Sequence, residues 1–265
     1  MIKLVVTDID GTIYTPENGI SNGVKNCVQE LVNTGVNVVI ATGRTFGSAK
    51  HVADRLGIKC PLIAYQGGLV CSYSGEILDS KYLDPEIAKE IIADCRKRNI
   101  HLNVYVNDTL YVEDDDEYIK DYIGDKGIDY FLVDRFEDLD FSKLNKLLAI
   151  VYDSQFIDNL IEELRNKYPD LYVVKSYKYF CEIANKEATK GNAIKFLAKK
   201  YGITTDEIMA IGDQNNDIEM VMTAGCGVAM GNGTDEIKKV AKYVTDSVEN
   251  DGFVKAVNKY VLNKE

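Results

Sequence analysis

Histidine is scarce in this sequence: only His51 and His101 occur in 265 residues. Neither has a second histidine or a cysteine at ligand spacing, so both are assigned surface or structural roles. The six cysteines (Cys27, Cys60, Cys71, Cys95, Cys181 and Cys226) include no Cys-x-x-Cys pair. Each lies in or beside an apolar run, which points to buried free thiols rather than disulfides or a zinc site. No stretch approaches the roughly 20 apolar residues that a membrane helix needs. The opening Met-Ile-Lys-Leu-Val-Val-Thr-Asp reaches an acid too soon for a signal peptide. A soluble, cytoplasmic protein without a membrane partner is expected. Basic residues are in deficit, 31 against 42 acidic ones, for a formal charge of −11. Such a surface repels phosphate backbones, so no nucleic-acid partner is expected. A small anionic substrate stays compatible with it, provided a metal or a few cations invert the field locally. With only four prolines, and no repeat or low-complexity tract, composition does not mark domain junctions.

What is present is an alternation of apolar patterns. Leu4 to Thr7 is a short apolar run ending in acids. Val24, Cys27, Val28, Leu31 and Val32 form a helical stripe closed by Gly35, and Val36 to Ala41 is again continuously apolar. A helix through Phe46, Ala49, Ala53 and Leu56 and a strand from Leu62 to Tyr65 follow. This rhythm predicts βαβ units and a parallel sheet. Leu69 to Tyr73 and Ile77 to Tyr82 read as a hairpin around Ser74-Gly75-Glu76. From about Asp84 to Asn185 helical stripes mix with alternating strands, among them an apolar run from Leu147 to Val151, which predicts an α+β unit. The α/β rhythm returns at Lys190. The expected architecture is therefore α/β. A Rossmann-like parallel-sheet core, residues 1–83 and 186–265, is interrupted by an inserted α+β domain, residues 84–185.

Four strand ends carry residues suited to chemistry. The first is Thr7-Asp8-Ile9-Asp10-Gly11-Thr12. Ligands bind at the carboxyl ends of parallel strands, and residues i and i+2 of an extended segment point the same way, so Asp8 and Asp10 can address one point. Two acids that close repel unless a cation sits between them; a solvated turn is the plainer alternative. In Ala41-Thr42-Gly43-Arg44 a hydroxyl and a glycine N–H can face an anion, although a helix N-cap explains the same residues. Lys190, in Thr189-Lys190-Gly191, opens a helix at the end where the dipole disfavours a cation; it either neutralises a phosphate or is a solvated lysine. Gly212-Asp213-Gln214-Asn215-Asn216-Asp217 offers oxygen ligands for a hard cation such as Mg²⁺, or acid-rich capping of the next helix.

All four in chain order make independent plain explanations improbable. Asp-x-Asp-Gly-Thr, Thr-Gly-Arg, Lys-Gly and Gly-Asp-x-x-Asn-Asp together resemble the haloacid dehalogenase superfamily, in particular its Cof-type sugar-phosphatase branch. The likeness covers roughly residues 1–80 and 186–265, with an insert of the size and composition of that branch's α/β cap. It implies a Mg²⁺-dependent phosphatase acting on a small phosphorylated metabolite, with sugar phosphates foremost. In that reading Asp8 is the nucleophile that becomes an aspartyl phosphate, and Asp10 is the acid and then the base. Asp8, the Asp10 carbonyl and Asp213 hold Mg²⁺, supported by Asp217. Thr42, Gly43, Lys190 and Asn216 bind the phosphate. Arg44 faces the region for substrate contact, and a structural role for an arginine at a helix start is the equal alternative. The resemblance also implies that the insert is a lid that reads the non-phosphate end of the substrate. One departure stands out: the family commonly shows Asn-Gly after the third strand, where this chain has Gln66-Gly67. A phosphomutase sharing the nucleophile and metal is the nearest alternative. A non-catalytic metabolite-binding module is a further one, disfavoured because Asp8, Asp10 and Lys190 are all present.

Overall fold

A computed structural model describes residues 1–124 and 129–264. The described residues form two compact units, Met1–Ser80 together with the stretch from Thr189 onward, and Lys81–Ala188. The change of period put the junctions at 83/84 and 185/186. Leu83 is buried among the second unit's core side chains, and its N–H donates to the Leu144 carbonyl at 2.8 Å. Asn185 Nδ2 donates to the Tyr82 carbonyl at 2.8 Å, so this short stretch is tied into that unit.

The first unit begins with β1 (Leu4–Thr7), α1 (Asn22–Asn33), β2 (Asn37–Ala41), α2 (Phe46–Leu56) and β3 (Leu62–Ala64). α1 buries Val24, Cys27, Val28 and Leu31 of the stripe read from the sequence and exposes Val32, and the Ser21 hydroxyl caps it by accepting from Val24 N–H. β3 stops one residue short of expectation because Tyr65 and Gln66 turn into the left-handed region, at φ 51° and 60°. The hairpin of β4 (Leu69–Cys71) and β5 (Ile77–Ser80) then extends the sheet antiparallel.

In the second unit α3 (Pro85–Lys97) starts with Asp84 as cap and Pro85 in its first turn. β6 (His101–Val106) and β7 (Thr109–Val112) form a hairpin whose two turn residues, Asn107 and Asp108, both have positive φ. α4 (Glu117–Ile123), β8 (Tyr130–Leu132), β9 (Leu144–Ile150), α5 (Ser154–Lys167), β10 (Leu171–Tyr177) and β11 (Phe180–Asn185) follow. The strands order as β10-β11-β9-β6-β7-β8, antiparallel except for β7 with β8. Ile91, Ile92 and Cys95 of α3 and Ile157, Leu160 and Leu164 of α5 share one core with Val104, Leu147, Ala149 and Ile183 of the sheet. This is the α+β insert.

The chain returns through α6 (Lys190–Tyr201), β12 (Ile208–Gly212), α7 (Ile218–Thr223), β13 (Cys226–Ala229), α8 (Asp235–Val240), β14 (Tyr243–Val244) and α9 (Gly252–Tyr260). The first unit's sheet orders as β14-β13-β12-β1-β2-β3-β4-β5, parallel from β14 to β3. Apolar layers fill both faces: Val5, Val38 and Ile40 meet α1, α2 and α9, while Leu4, Val6 and Val39 meet Ala193, Ile194 and Leu197 of α6. β1 is thus buried on both faces, as a central parallel strand must be. The six cysteines are free and buried, and burial pushes the Cys60 thiol up to about 12, which keeps it un-ionised at neutral pH. Among the described residues no helix is long and apolar enough to cross a membrane.

Candidate active site

β1 lies between β2 and β12, so the residues following these strands emerge side by side. Asp8 directly follows β1, and its N–H donates to the Ile211 carbonyl at 3.0 Å. Its carboxylate is almost wholly enclosed. Lys190, the first residue of α6, has no exposed surface, and its Nζ donates to Asp8 Oδ1 and Asp217 Oδ1, each at 2.6 Å. The lysine at the unfavourable end of its helix is therefore a buried counter-ion to two acids. Burial pulls its pKa down, but Asp217 and Asp8 outweigh this and the ammonium stays charged.

The loop after β12 supplies the rest. Asp217 Oδ2 accepts the N–H groups of Asp213 and Gln214, at 3.0 and 3.1 Å, while its other oxygen is held by Lys190. Both oxygens of Asp217 are thus committed within the protein. Asp213 accepts from the Thr12 hydroxyl at 3.4 Å and from Gln214 Nε2 at 3.1 Å. Asp8, Asp213 and Asp217 bring carboxylate oxygens within 4.8 Å of one another. Three buried carboxylates face one ammonium, and the imbalance shows in Asp213 and Asp8. Burial first, and then the charge of Asp217, pushes Asp213 up to about 7. Burial likewise holds Asp8 well above the ordinary carboxylate range, against the pull of Lys190. A hard divalent cation fits such a set of oxygens and removes the excess negative charge.

Asp10 is placed differently. Its carboxylate is exposed and takes a bidentate pair from Arg44, Nε to Oδ2 at 2.8 Å and a terminal nitrogen to Oδ1 at 2.5 Å. The Arg44 guanidinium also lies over the Tyr14 ring, 5.2 Å from its centre. Arg44, read as facing substrate, therefore also fixes Asp10. Thr42 is buried, and its hydroxyl oxygen accepts the Arg44 N–H at 3.2 Å, shaping the turn through Gly43. Asn216 Nδ2 donates to Gln66 Oε1 at 2.9 Å.

Several contributors escaped sequence reasoning. Thr12 and Gln214 bond Asp213, and Gln66 bonds Asn216. Asn232 Nδ2 donates to the Gly11 carbonyl at 2.9 Å, and the Thr234 N–H to the Asp213 carbonyl at 2.9 Å. The Gly231-Asn232-Gly233-Thr234 run after β13 is a turn signal at yet another strand end, and it could have pointed to this loop.

Comparison with known proteins agrees with this geometry. Residues 5–257 match the family of haloacid dehalogenase-like hydrolases. The chain is 31% identical to the Streptococcus pyogenes protein M6_Spy0533 over 99% of both chains. It is 29% identical to the Bacillus subtilis 5-amino-6-(5-phospho-D-ribitylamino)uracil phosphatase YcsE, covering 98% of this chain and 96% of that one. The crystal structure of TM0651 from Thermotoga maritima is similar with a TM-score of 0.87 at 30% identity, over 98% of this chain and 97% of that one. The family match takes in the four motif-bearing strand ends and the insert between them; the chain belongs to the haloacid dehalogenase-like hydrolases and is a phosphatase.

Proposed function

We propose that the protein hydrolyses small phosphate monoesters through an aspartyl phosphate on Asp8, with Mg²⁺ held by Asp8, the Asp10 carbonyl and Asp213. The observation that carries this reading is the enclosed Asp8–Lys190–Asp217 cluster with Asp213 beside it. Bound there, Mg²⁺ supplies charge stabilisation for the transferring oxygens. Asp217, with both oxygens already committed, keeps Lys190 and the Asp213 backbone in place rather than reaching the substrate.

The chemistry follows from the chain's own groups. A carboxylate oxygen of Asp8 attacks phosphorus; the new P–O bond forms as the ester P–O bond breaks, and Asp10 gives its proton to the departing alkoxide. Asp10, now a carboxylate, takes a proton from water, whose oxygen attacks the phosphorus of the aspartyl phosphate. Inorganic phosphate leaves and the Asp8 carboxylate is restored. Lys190, the Thr42 hydroxyl, the Gly43 turn and Asn216 stabilise charge on the phosphoryl oxygens. Asp10 performs both proton transfers only after releasing Arg44.

The substrate class is proposed from the relatives. YcsE and a second Bacillus subtilis relative, YwtE, both 29% identical, are named for a phosphorylated ribityl compound. Phosphorylated sugars or sugar alcohols are the matching class, with the second unit reading the non-phosphate end. The test is phosphate release from a panel of phosphorylated metabolites, with Mg²⁺ and again after chelation. Release from phospho-sugars that disappears on chelation and returns with Mg²⁺ is expected. Full activity in metal-free buffer contradicts the metal assignment, and release of an isomer instead of phosphate contradicts hydrolysis.

A further inference from the structure

His101, for which the sequence suggested only a surface or structural place, opens β6 with its side chain 4% exposed. Both ring nitrogens meet oxygens: Nδ1 lies 2.8 Å from Asp116 Oδ2, and Nε2 lies 2.9 Å from Asn103 Oδ1. Asp116 is also the cap of α4, since its Oδ1 accepts the Ile119 N–H at 3.1 Å. The imidazole therefore ties the start of that helix to β6, and it stacks on the Tyr118 ring of α4 at 5.5 Å between centres. Asn103 has no exposed surface. Its Nδ2 is, among the described residues, the one buried side-chain nitrogen or oxygen without a hydrogen-bond partner. Glu113 and Asp114, in the segment after β7, and Arg96 of α3 line the same cleft as His101 and Asp116. Arg96 is already held by Glu113 and Glu137, at 2.6 and 2.9 Å. Behind Tyr118 stands the Tyr152 ring, 4.6 Å between centres, and β9 pairs His101 with the uncharged Ile150.

A carboxylate oxygen and an amide carbonyl oxygen only accept, whereas a neutral imidazole has a single N–H. Two bonds of this kind require the imidazolium, which donates from Nδ1 to Asp116 and from Nε2 to Asn103. The unbonded Nδ2 is the cost of this arrangement, offset by the two charge-assisted bonds. When the Nε2 proton goes to water, a lone pair faces the Asn103 oxygen and the offset is gone. A half-turn of the amide then brings Nδ2 to Nε2 as a donor, while the Nδ1–H stays on Asp116. We propose that His101 and Asn103 form a proton-operated switch in the insert. The imidazolium faces the amide oxygen, the neutral ring faces the amide nitrogen, and the charged tie to the cap of α4 exists only in the first.

The test is a pH titration of the full chain, isotope-labelled at nitrogen, followed by NMR through the His101 ring nitrogens and the Asn103 side-chain amide. It spans about pH 5 to 8, where an imidazole ordinarily changes charge. At the acid end both ring nitrogens should carry protons. At the alkaline end Nδ1 should keep its proton and Nε2 should not, and the Asn103 N–H₂ signals should move in the same step. The Ile119 N–H, bonded to the Asp116 cap, should then exchange about fivefold faster after correction for the intrinsic effect of pH, the scale for a charge-assisted bond turning neutral. His101→Gln should remove that step from the Ile119 exchange. Asn103→Asp puts a second carboxylate on Nε2, and the ring should then lose its proton about one pH unit later or more. The titration of the parent protein decides the matter even if neither variant folds. A ring that holds one protonation state across the range, a neutral ring protonated at Nε2, or an Asn103 amide indifferent to the ring's charge overturns the proposal.

Discussion

Lys190 occupies the first turn of α6, where the backbone field opposes a cation, yet it is wholly buried between Asp8 and Asp217. Its helix position is unfavourable and its partners more than compensate, which marks the cluster as built for charge. The carboxylates carry the remaining imbalance. Asp213 is pushed up to about 7, and Asp8 is raised as well, in each case chiefly by burial. A carboxyl group with a raised folded pKa keeps its proton in the native state after the unfolded chain has lost it. It therefore stabilises the fold at low pH, and that contribution is lost as pH rises from the ordinary value of 3.8 through about 7. A bound cation favours the ionised form and reverses the effect. The melting temperature of chelator-treated protein should fall across this window, and Mg²⁺ should offset the fall. A pH slope unaffected by Mg²⁺ would count against Asp213 as a ligand.

Elements were legible where a pattern was simple. The stripes of α1, α2 and α5 and the apolar runs of β1, β2 and β12 needed only periodicity, and acids, hydroxyls and a lysine at successive strand ends exposed most of the site. β9 was less legible: it starts at Leu144, three residues before the apolar run suggested, because Asn145 and Lys146 look like a polar break. Both are buried in the strand. Asn145 Oδ1 accepts the Asp108 N–H at 3.1 Å, and Lys146 Nζ donates to Glu182 Oε2 of β11 at 3.1 Å. No sequence window reveals a partner 36 positions away. Gln66 stood out in the sequence, but its hydrogen bond did not, since that depends on a left-handed turn and on Asn216, 150 positions away. The Lys146–Glu182 pair carries its own prediction. Lys146→Met alone leaves a buried carboxylate unpaired and should cost about 3–5 kcal/mol, whereas adding Glu182→Leu should recover most of it. Denaturant unfolding of both variants checks this, and equal losses in the two would rule out a coupled buried pair.

At the scale of the whole molecule, the site exists only because both ends of the chain share one sheet. Asp8 and Lys190 are 182 positions apart and meet because α6 packs on β1, with Ala193, Ile194 and Leu197 sharing a core with Leu4 and Val6. The four motif-bearing segments are contributed by the first unit alone, and the insert leaves that sheet uninterrupted. In a molecule of net charge −11, three buried acids, Asp8, Asp213 and Asp217, gather beside the one ammonium of Lys190, an oxygen set that a hard cation fits. The proposed reaction depends above all on Asp8 forming the bond to phosphorus. It is tested most directly by acid-quenching a single turnover with a phosphate monoester and Mg²⁺, then mapping the phosphoryl group by peptide mass spectrometry. A phosphoryl group on Asp8 is expected in the parent protein. It should persist longer in Asp10→Asn, supplied with a substrate whose leaving group needs no proton, and be absent from Asp8→Asn. Phosphorylation of the Asp8→Asn protein, or of any other residue in the parent, would contradict it.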